Sequence, residues 1–509
     1  MMISRRALLV GLATTTATTA WAAENLITQE TAFSPDWLWD HARTLAQQDY
    51  TPKPLIPDPW QNLSFEDFNK IQFDPQHGIW AQDDTPMTMD LFTAGLYAKR
   101  PATINIVEEG IAKTLGYDLS LFEIRGDLPD LPVNDAMGYS GFRLRTTVNT
   151  PDHLDEFVVF QGASYFRAVA KGQGYGISAR GLALRTGDPN GEEFPDFTDF
   201  WVERAAPGET VFTVHALLDS PSTTGAYTFK ISAGISTRID VTATLFPRVE
   251  LTHVGLGAMT SMFLFDETNR HRFNDFRPGV HDSDGLLIWN GTGEQIWRPL
   301  ANPKQLEISA FTDENPRGFG LMQRTRDPEN FADLQADYEK RPSLWITPEA
   351  DWGAGAVELV EIPSDREIYD NTVAYWRPIA PLPAGSEYNF GYSMAWGDEA
   401  AGLPDLARVI NTRIGNAFDQ NDIIVAIDFA DHAVFGEDLS EEDLSNIETV
   451  ITTDVGVVSE GRLERSPGTG GVRLSFHLSP QDAARIELRA QLVKRDTPIS
   501  EVWLYRWTA

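Results

Sequence analysis

The chain of 509 residues contains no cysteine. Disulfide staples, thiol nucleophiles and cysteine-ligated metals are therefore excluded. Positive charge is scarce: 41 Lys and Arg stand against 74 Asp and Glu, a formal net charge of −33 at pH 7. Such a chain repels nucleic acid and anionic lipid, so neither is expected as a partner, whereas an uncharged polymer meets no such barrier. Long apolar runs are missing as well, since no segment approaches the roughly 18 uninterrupted apolar residues of a membrane span. The nine histidines are scattered, without His-Glu-x-x-His or other zinc-like spacing, and no Gly-x-Ser-x-Gly nucleophile elbow occurs. Asp282-Ser283-Asp284-Gly285 starts like a calcium loop but lacks the third acidic position and the terminal Glu. Gly468–Gly471 precedes a strand-like run and reads as a hairpin turn, not a phosphate cradle. No metal and no cofactor are expected.

What is present begins with an export signal. Ser4-Arg5-Arg6 leads into Ala7-Leu8-Leu9-Val10, a short apolar stretch, and Ala20-Trp21-Ala22 supplies a small-residue cleavage site. Residues 1–22 are expected to be a twin-arginine signal peptide, with the mature chain exported to the periplasm.

The length suggests more than one domain. The 39 Gly and 31 Pro, with few amphipathic helical stretches, favour an all-β protein. One helix is expected over 35–48, where Trp37, Leu38, His41 and Leu45 recur at helical spacing. Strands are expected at 142–148, 227–231 and 238–245, and near the C-terminus at 423–429, 450–454, 472–478, 486–493 and 502–507. The expected organisation is a large β-sandwich over 23–400, a linker over 401–415 and a smaller immunoglobulin-like sandwich over 416–509. The acidic run 437–443 is expected to be a solvated surface.

Six of the 14 tryptophans fall between Trp289 and Trp396, about a fifth of the chain. Aromatic rings stack on the apolar faces of sugars; they equally fill sandwich cores, and composition favours the core. Glycoside cleavage requires a carboxylic acid and a second carboxylate. Asp282, Asp284, Asp351, Glu361, Glu367 and Asp370 all lie in or near turn-rich stretches, and composition does not choose among them.

Longer stretches are more specific. They are Leu96-Tyr97-Ala98-Lys99-Arg100-Pro101, Phe160–Arg167, Phe273–Leu286, Arg341–Trp345, Asp351-Trp352-Gly353, Glu358–Pro363 leading to Asp370-Asn371, and Tyr375–Pro378. Together, from about Phe33 to the C-terminus, they resemble the periplasmic glucan biosynthesis proteins G and D; the twin-arginine signal is more like the D member. The resemblance implies a galactose-mutarotase-like sandwich followed by an immunoglobulin-like one. It implies β-1,2-glucan as ligand and anomer-inverting endo-cleavage, by hydrolysis or by cyclising transfer. By the same resemblance Asp370 is the general acid, Asp282 the general base and Tyr338 a relay on the water chain between base and substrate. Glu367 stands near the acid, and Asp284 is the alternative base. Arg341, Trp345, Asp351, Trp352, Trp376, Tyr97, Arg100, Arg167 and Arg180 are candidates for binding sugar. A homodimer and an inner-membrane glucosyltransferase are the implied protein partners, although the segment Asn411–Gln420 is short for the family. The competing reading is a non-catalytic glucan-binding module that assists such a transferase.

Overall fold

The computed structural model describes residues 26–418, 422–435, 440–466 and 468–509. The expected signal peptide and residues 437–439 of the acidic run lie outside these limits, as do residues 419 and 420.

Period-two patterning builds most of the molecule. In the hairpin Thr223–Ser232 with Thr237–Pro247, Tyr227, Phe229 and Ile231 are buried opposite Ala243, Val241 and Ile239, while Lys230 on the other face is exposed. A one-residue slip would turn every one of these side chains to the wrong face, so the core fixes the register. The strands expected from sequence appear within a few residues of their predicted limits, among them Tyr139–Thr146, Ile423–Phe429 and Val502–Thr508. The expected helix is Pro35–Ala46: Ser34 caps it by accepting from the Trp37 amide, and Leu38 and Ala42 bury against the back of the large sheet.

Two sheets dominate. The larger runs from Ile27–Ala32 through the 223–247 hairpin, Tyr388–Gly397 and Gly285–Trp289 to Gln295–Pro299. The second contains Glu307–Glu314, Ala354–Glu361, Thr372–Pro378, Val254–Ser261, Tyr165–Ala168 and Tyr139–Thr146. Their facing sides share one core, in which Phe142, Phe160 and Phe166 of the second sheet meet Phe200, Phe229 and Trp396 of the first.

The larger sheet does not stop at residue 299. Ile296 and Trp297 pair in parallel with Val502 and Trp503, so the sheet continues through Val502–Thr508, Arg485–Lys494 and Glu448–Thr453. These last strands face a five-stranded sheet containing Val409–Asn416, Ile423–Phe429 and Val472–Ser479. The molecule is thus all-β, and its two sandwiches share a sheet. The 401–415 stretch is not a linker throughout. From Val409 it is strand, paired with Ile423–Phe429, because Val409, Val425 and Ile427 bury on one face. No helix among the described residues is long and apolar enough to cross a membrane.

Candidate active site

The second sheet ends where Ser261, Glu361 and Thr372 lie side by side. Three segments leave that edge together, and their anchors are polar side chains buried among backbone groups. Asn371 accepts from the Phe263 amide (2.8 Å) and donates to the carbonyls of Phe263 (2.9 Å) and Ile362 (3.0 Å). Asn302 does the same for the loop at Ser364 and for Leu264. The loop 362–371 is thereby closed at its base, with Asp370 at its last exposed position.

Asp282 follows the short strand Val280–His281, and its amide donates to the Met262 carbonyl at 2.8 Å. Its neighbour Ser283 hydrogen-bonds Ser261 at 2.6 Å. Asp282 is 4% exposed and forms a close ion pair with Arg341. Tyr338 opens a short helical turn after Asp337, which holds φ 46°, and the Arg341 guanidinium lies 4.2 Å from the Tyr338 ring centre. Fully buried Gln323 joins the pieces: its amide donates to the carbonyls of His281 (3.2 Å) and Tyr338 (3.1 Å).

The electrostatics set this cluster apart. Burial pushes the Asp282 carboxyl up to about 6 against the pull of Arg341, and Asp370 adds to the rise while Arg167 opposes it. Asp370 is also raised by burial, with Arg180, Arg167 and Arg341 opposing. Asp370 is nevertheless exposed; a carboxyl that water reaches can still be crowded by surrounding protein atoms and so be poorly hydrated. Burial raises Tyr338 too, and Glu367, Arg341 and Asp282 all act on it. Arg167 is exposed, stacks 4.4 Å from Tyr175 and makes no ion pair among the described residues, which leaves its guanidinium available to a ligand. Arg180 is held by Thr260 (2.9 Å), by Glu192 (2.5 Å) and over Tyr165. Tyr165 feels Asp370 and also lines an open groove with Tyr97, Arg100, Phe65, Phe68 and Asp196. Tyr97 and Phe65 present exposed rings there.

The structure thus brings together Asp370, Asp282, Tyr338, Arg341, Arg167 and Arg180, with Tyr97 and Arg100 along the adjoining groove. Several other candidates stand elsewhere. Asp284 accepts from the amides of Arg324 and Thr325 and from the Thr325 hydroxyl, which occupies its carboxylate as a loop anchor. Trp345, Trp352 and Trp376 are 4%, 7% and 0% exposed. Trp345 packs in the second core, and the other two pack against each other in the first. No face of these rings is open to stack on a sugar. Asp351 is exposed beyond the opposite end of the strand Ala354–Glu361 from Asp370, an eight-residue strand that spans about 25 Å. Glu361 is buried against Arg298 and the Ala301 amide. Glu367 is paired with Arg277 at 2.5 Å, and it is burial, not Glu367, that raises Asp370.

Four contributors escaped the sequence reading. Arg277 binds Asp275 (2.8 Å), Asp333 (2.8 Å) and Glu367 (2.5 Å), tying three loops around the cleft. Gln323, Asn371 and Tyr165 are the others. Arg277, Asn371 and Tyr165 lie inside the family-like stretches; Gln323 lies outside them and offered no signal. Among the described residues no group of three or more His, Asp or Glu side chains is set to hold a metal ion.

Comparison with known proteins adds an independent line. Residues 33–507 match the family model described as periplasmic glucan biosynthesis protein, MdoG. The chain is 47% identical over 495 residues to glucans biosynthesis protein G 1 of Shewanella oneidensis, covering 97% of this chain and 90% of that one. It is 46% identical over 479 residues to glucans biosynthesis protein G of Vibrio cholerae, covering 94% and 87%. These relatives carry the G name; the leaning towards the D member rests on residues before 26.

Proposed function

Because the chain belongs to the MdoG family of periplasmic glucan biosynthesis proteins, we propose that it is an anomer-inverting, endo-acting enzyme on β-1,2-glucan. The observation that carries this reading is the pair Asp282 and Asp370: two carboxyls on one sheet edge, both raised by burial, the first sensing the second. In an inverting reaction one carboxylic acid protonates the leaving glycosidic oxygen while a carboxylate takes a proton from the attacking nucleophile on the other side. Asp370, exposed at the end of the 362–371 loop, donates to the leaving oxygen. Asp282, deeper and beside Tyr338, receives the nucleophile's proton through water held by the Tyr338 hydroxyl. Once a sugar covers Asp370 and excludes water, its proton is held more tightly still. Arg167 donates to sugar hydroxyls, and the groove with Tyr97, Phe65 and Arg100 takes the continuing chain. Water as nucleophile gives hydrolysis; a hydroxyl of the same glucan gives a ring.

The export route proposed is the twin-arginine one, with residues 1–22 removed. A second copy of the chain and an inner-membrane glucosyltransferase are the proposed protein partners.

The deciding experiment incubates the mature protein and its Asp370→Asn variant with linear β-1,2-glucan, reading masses and the new anomeric signal by NMR. Shorter chains with inverted anomer indicate a hydrolase, and products lighter by one water a cyclase. The variant is expected to lose at least about a thousandfold in turnover while binding glucan. Binding without turnover by the unaltered protein would reject the enzyme and leave the glucan-binding module.

A further inference from the structure

Residues 323–325 form a junction. On one side they hold the site: Gln323 donates to the carbonyls of His281 and Tyr338, and the amides of Arg324 and Thr325 donate to Asp284, two residues after Asp282. On the other side they are held by the second sandwich. The Arg324 guanidinium lies over the Trp297 ring, 3.7 Å from its centre. It donates to both carboxylate oxygens of Glu501, at 2.6 and 2.8 Å, and to the Val409 carbonyl at 2.6 Å. Glu501 is 0% exposed and also accepts from the Val409 amide at 2.8 Å. It precedes the strand Val502–Thr508, and Val409 begins a strand of the facing sheet, so one carboxylate ties both sheets of the second sandwich to Arg324.

We propose that Glu501 is a positioning residue for the reaction, and that the second sandwich works through Glu501 and Arg324 to set the placement of Asp282 and Tyr338. The inference rests on the catalytic reading above. A planar, two-pronged arginine–carboxylate contact fixes direction as well as distance. Here it fixes a segment whose next hydrogen bonds are to the carbonyl of His281, just before Asp282, to the carboxylate of Asp284, two residues after it, and to the carbonyl of Tyr338. Burial of both partners removes the solvent that would let the contact slide. The arrangement accounts for a second sandwich that, among the described residues, places no side chain in the Asp282, Asp370 and arginine cluster, yet shares a sheet with the first.

The test uses the full chain carrying Glu501→Gln, with Glu501→Asp as the conservative partner and Arg324→Lys as a second route should Glu501→Gln fail to fold. On folded protein, kcat for linear β-1,2-glucan is expected to fall at least tenfold with KM within about twofold, and Glu501→Asp to recover part of the loss. Backbone hydrogen exchange is read on the same samples. It is expected to quicken at residues 281–284 and 323–325 in Glu501→Gln while the 223–247 hairpin stays protected. Unchanged kcat on folded variants, or a lowered melting temperature with unchanged exchange at 281–284, overturns the proposal. If the unaltered protein turns over no glucan, the catalytic reading fails, and the exchange measurement still decides whether Glu501 governs that segment.

Discussion

At Asp282 two forces oppose each other. Burial favours the neutral acid, and the Arg341 guanidinium favours the carboxylate. The result, a carboxyl pushed up to about 6, places its titration where an assay can see it. As the proposed general base Asp282 works only when ionised, so kcat/KM is expected to fall as the pH drops below about 6. Arg341→Gln removes the charge that lowers the Asp282 pKa, so the acid limb should move to higher pH; a pH profile of the two proteins checks the sign. Of the residues in this balance, the resemblance supplied Asp282, Asp370 and Arg341. Tryptophans 345, 352 and 376 were proposed by the same route and are core, because motif membership does not distinguish a ring that faces a ligand from one that holds the sheet beneath it.

Loop geometry belongs to the next scale. The loop 362–371 carries Asp370 and Glu367 and is closed by Asn371, whose side chain satisfies three backbone groups in the interior. Replacing it with Ala leaves those groups without partners. Asn371→Ala is expected to cost about 3 kcal/mol in urea unfolding and to weaken turnover beyond that, since Asp370 loses its fixed base. Arg277 works at the same scale, drawing the 273–279, 333–337 and 362–371 loops together through three carboxylates. The strands beneath these loops, Val254–Ser261, Ala354–Glu361 and Thr372–Pro378, are buried almost throughout and carry no alternation, whereas the half-buried strands at 227–231 and 238–245, where alternation is a local signal, were legible in the sequence. The loop contacts were not: Arg277 and Glu367 are 90 residues apart, and nothing local in either segment announces the other.

Across the whole molecule, charge and burial decide how stability depends on pH. Asp266 lies near Tyr505 of the second sandwich, and burial pushes it up to about 7, with Glu267 and Asp284 adding to the rise. A carboxyl that binds its proton more tightly in the folded state stabilises the fold fully below its unfolded pKa, near 4, and loses that contribution as the pH rises through about 7. The melting temperature is therefore expected to fall between pH 5 and pH 8. Asp266→Asn should flatten that fall, whereas the general repulsion of a chain of net charge −33 would persist in the variant. Scanning calorimetry of both proteins at the two pH values separates the contributions.

By itself the sequence determined the β class, a helix starting at Pro35, the positions of several strands and, through long family-like stretches, the family. These are properties carried by neighbouring residues, by period and by composition. It also narrowed the acidic candidates to a handful. Tertiary structure decided which of them share a cleft, because Asp282, Tyr338, Arg167 and Asp370 meet only when four separate segments reach one sheet edge. It turned the expected linker into a strand from Val409 onward and joined the two sandwiches through a shared sheet and the Glu501–Arg324 contact. Pairing partners so far apart in the chain are selected by the burial of whole faces, and no local pattern encodes that choice.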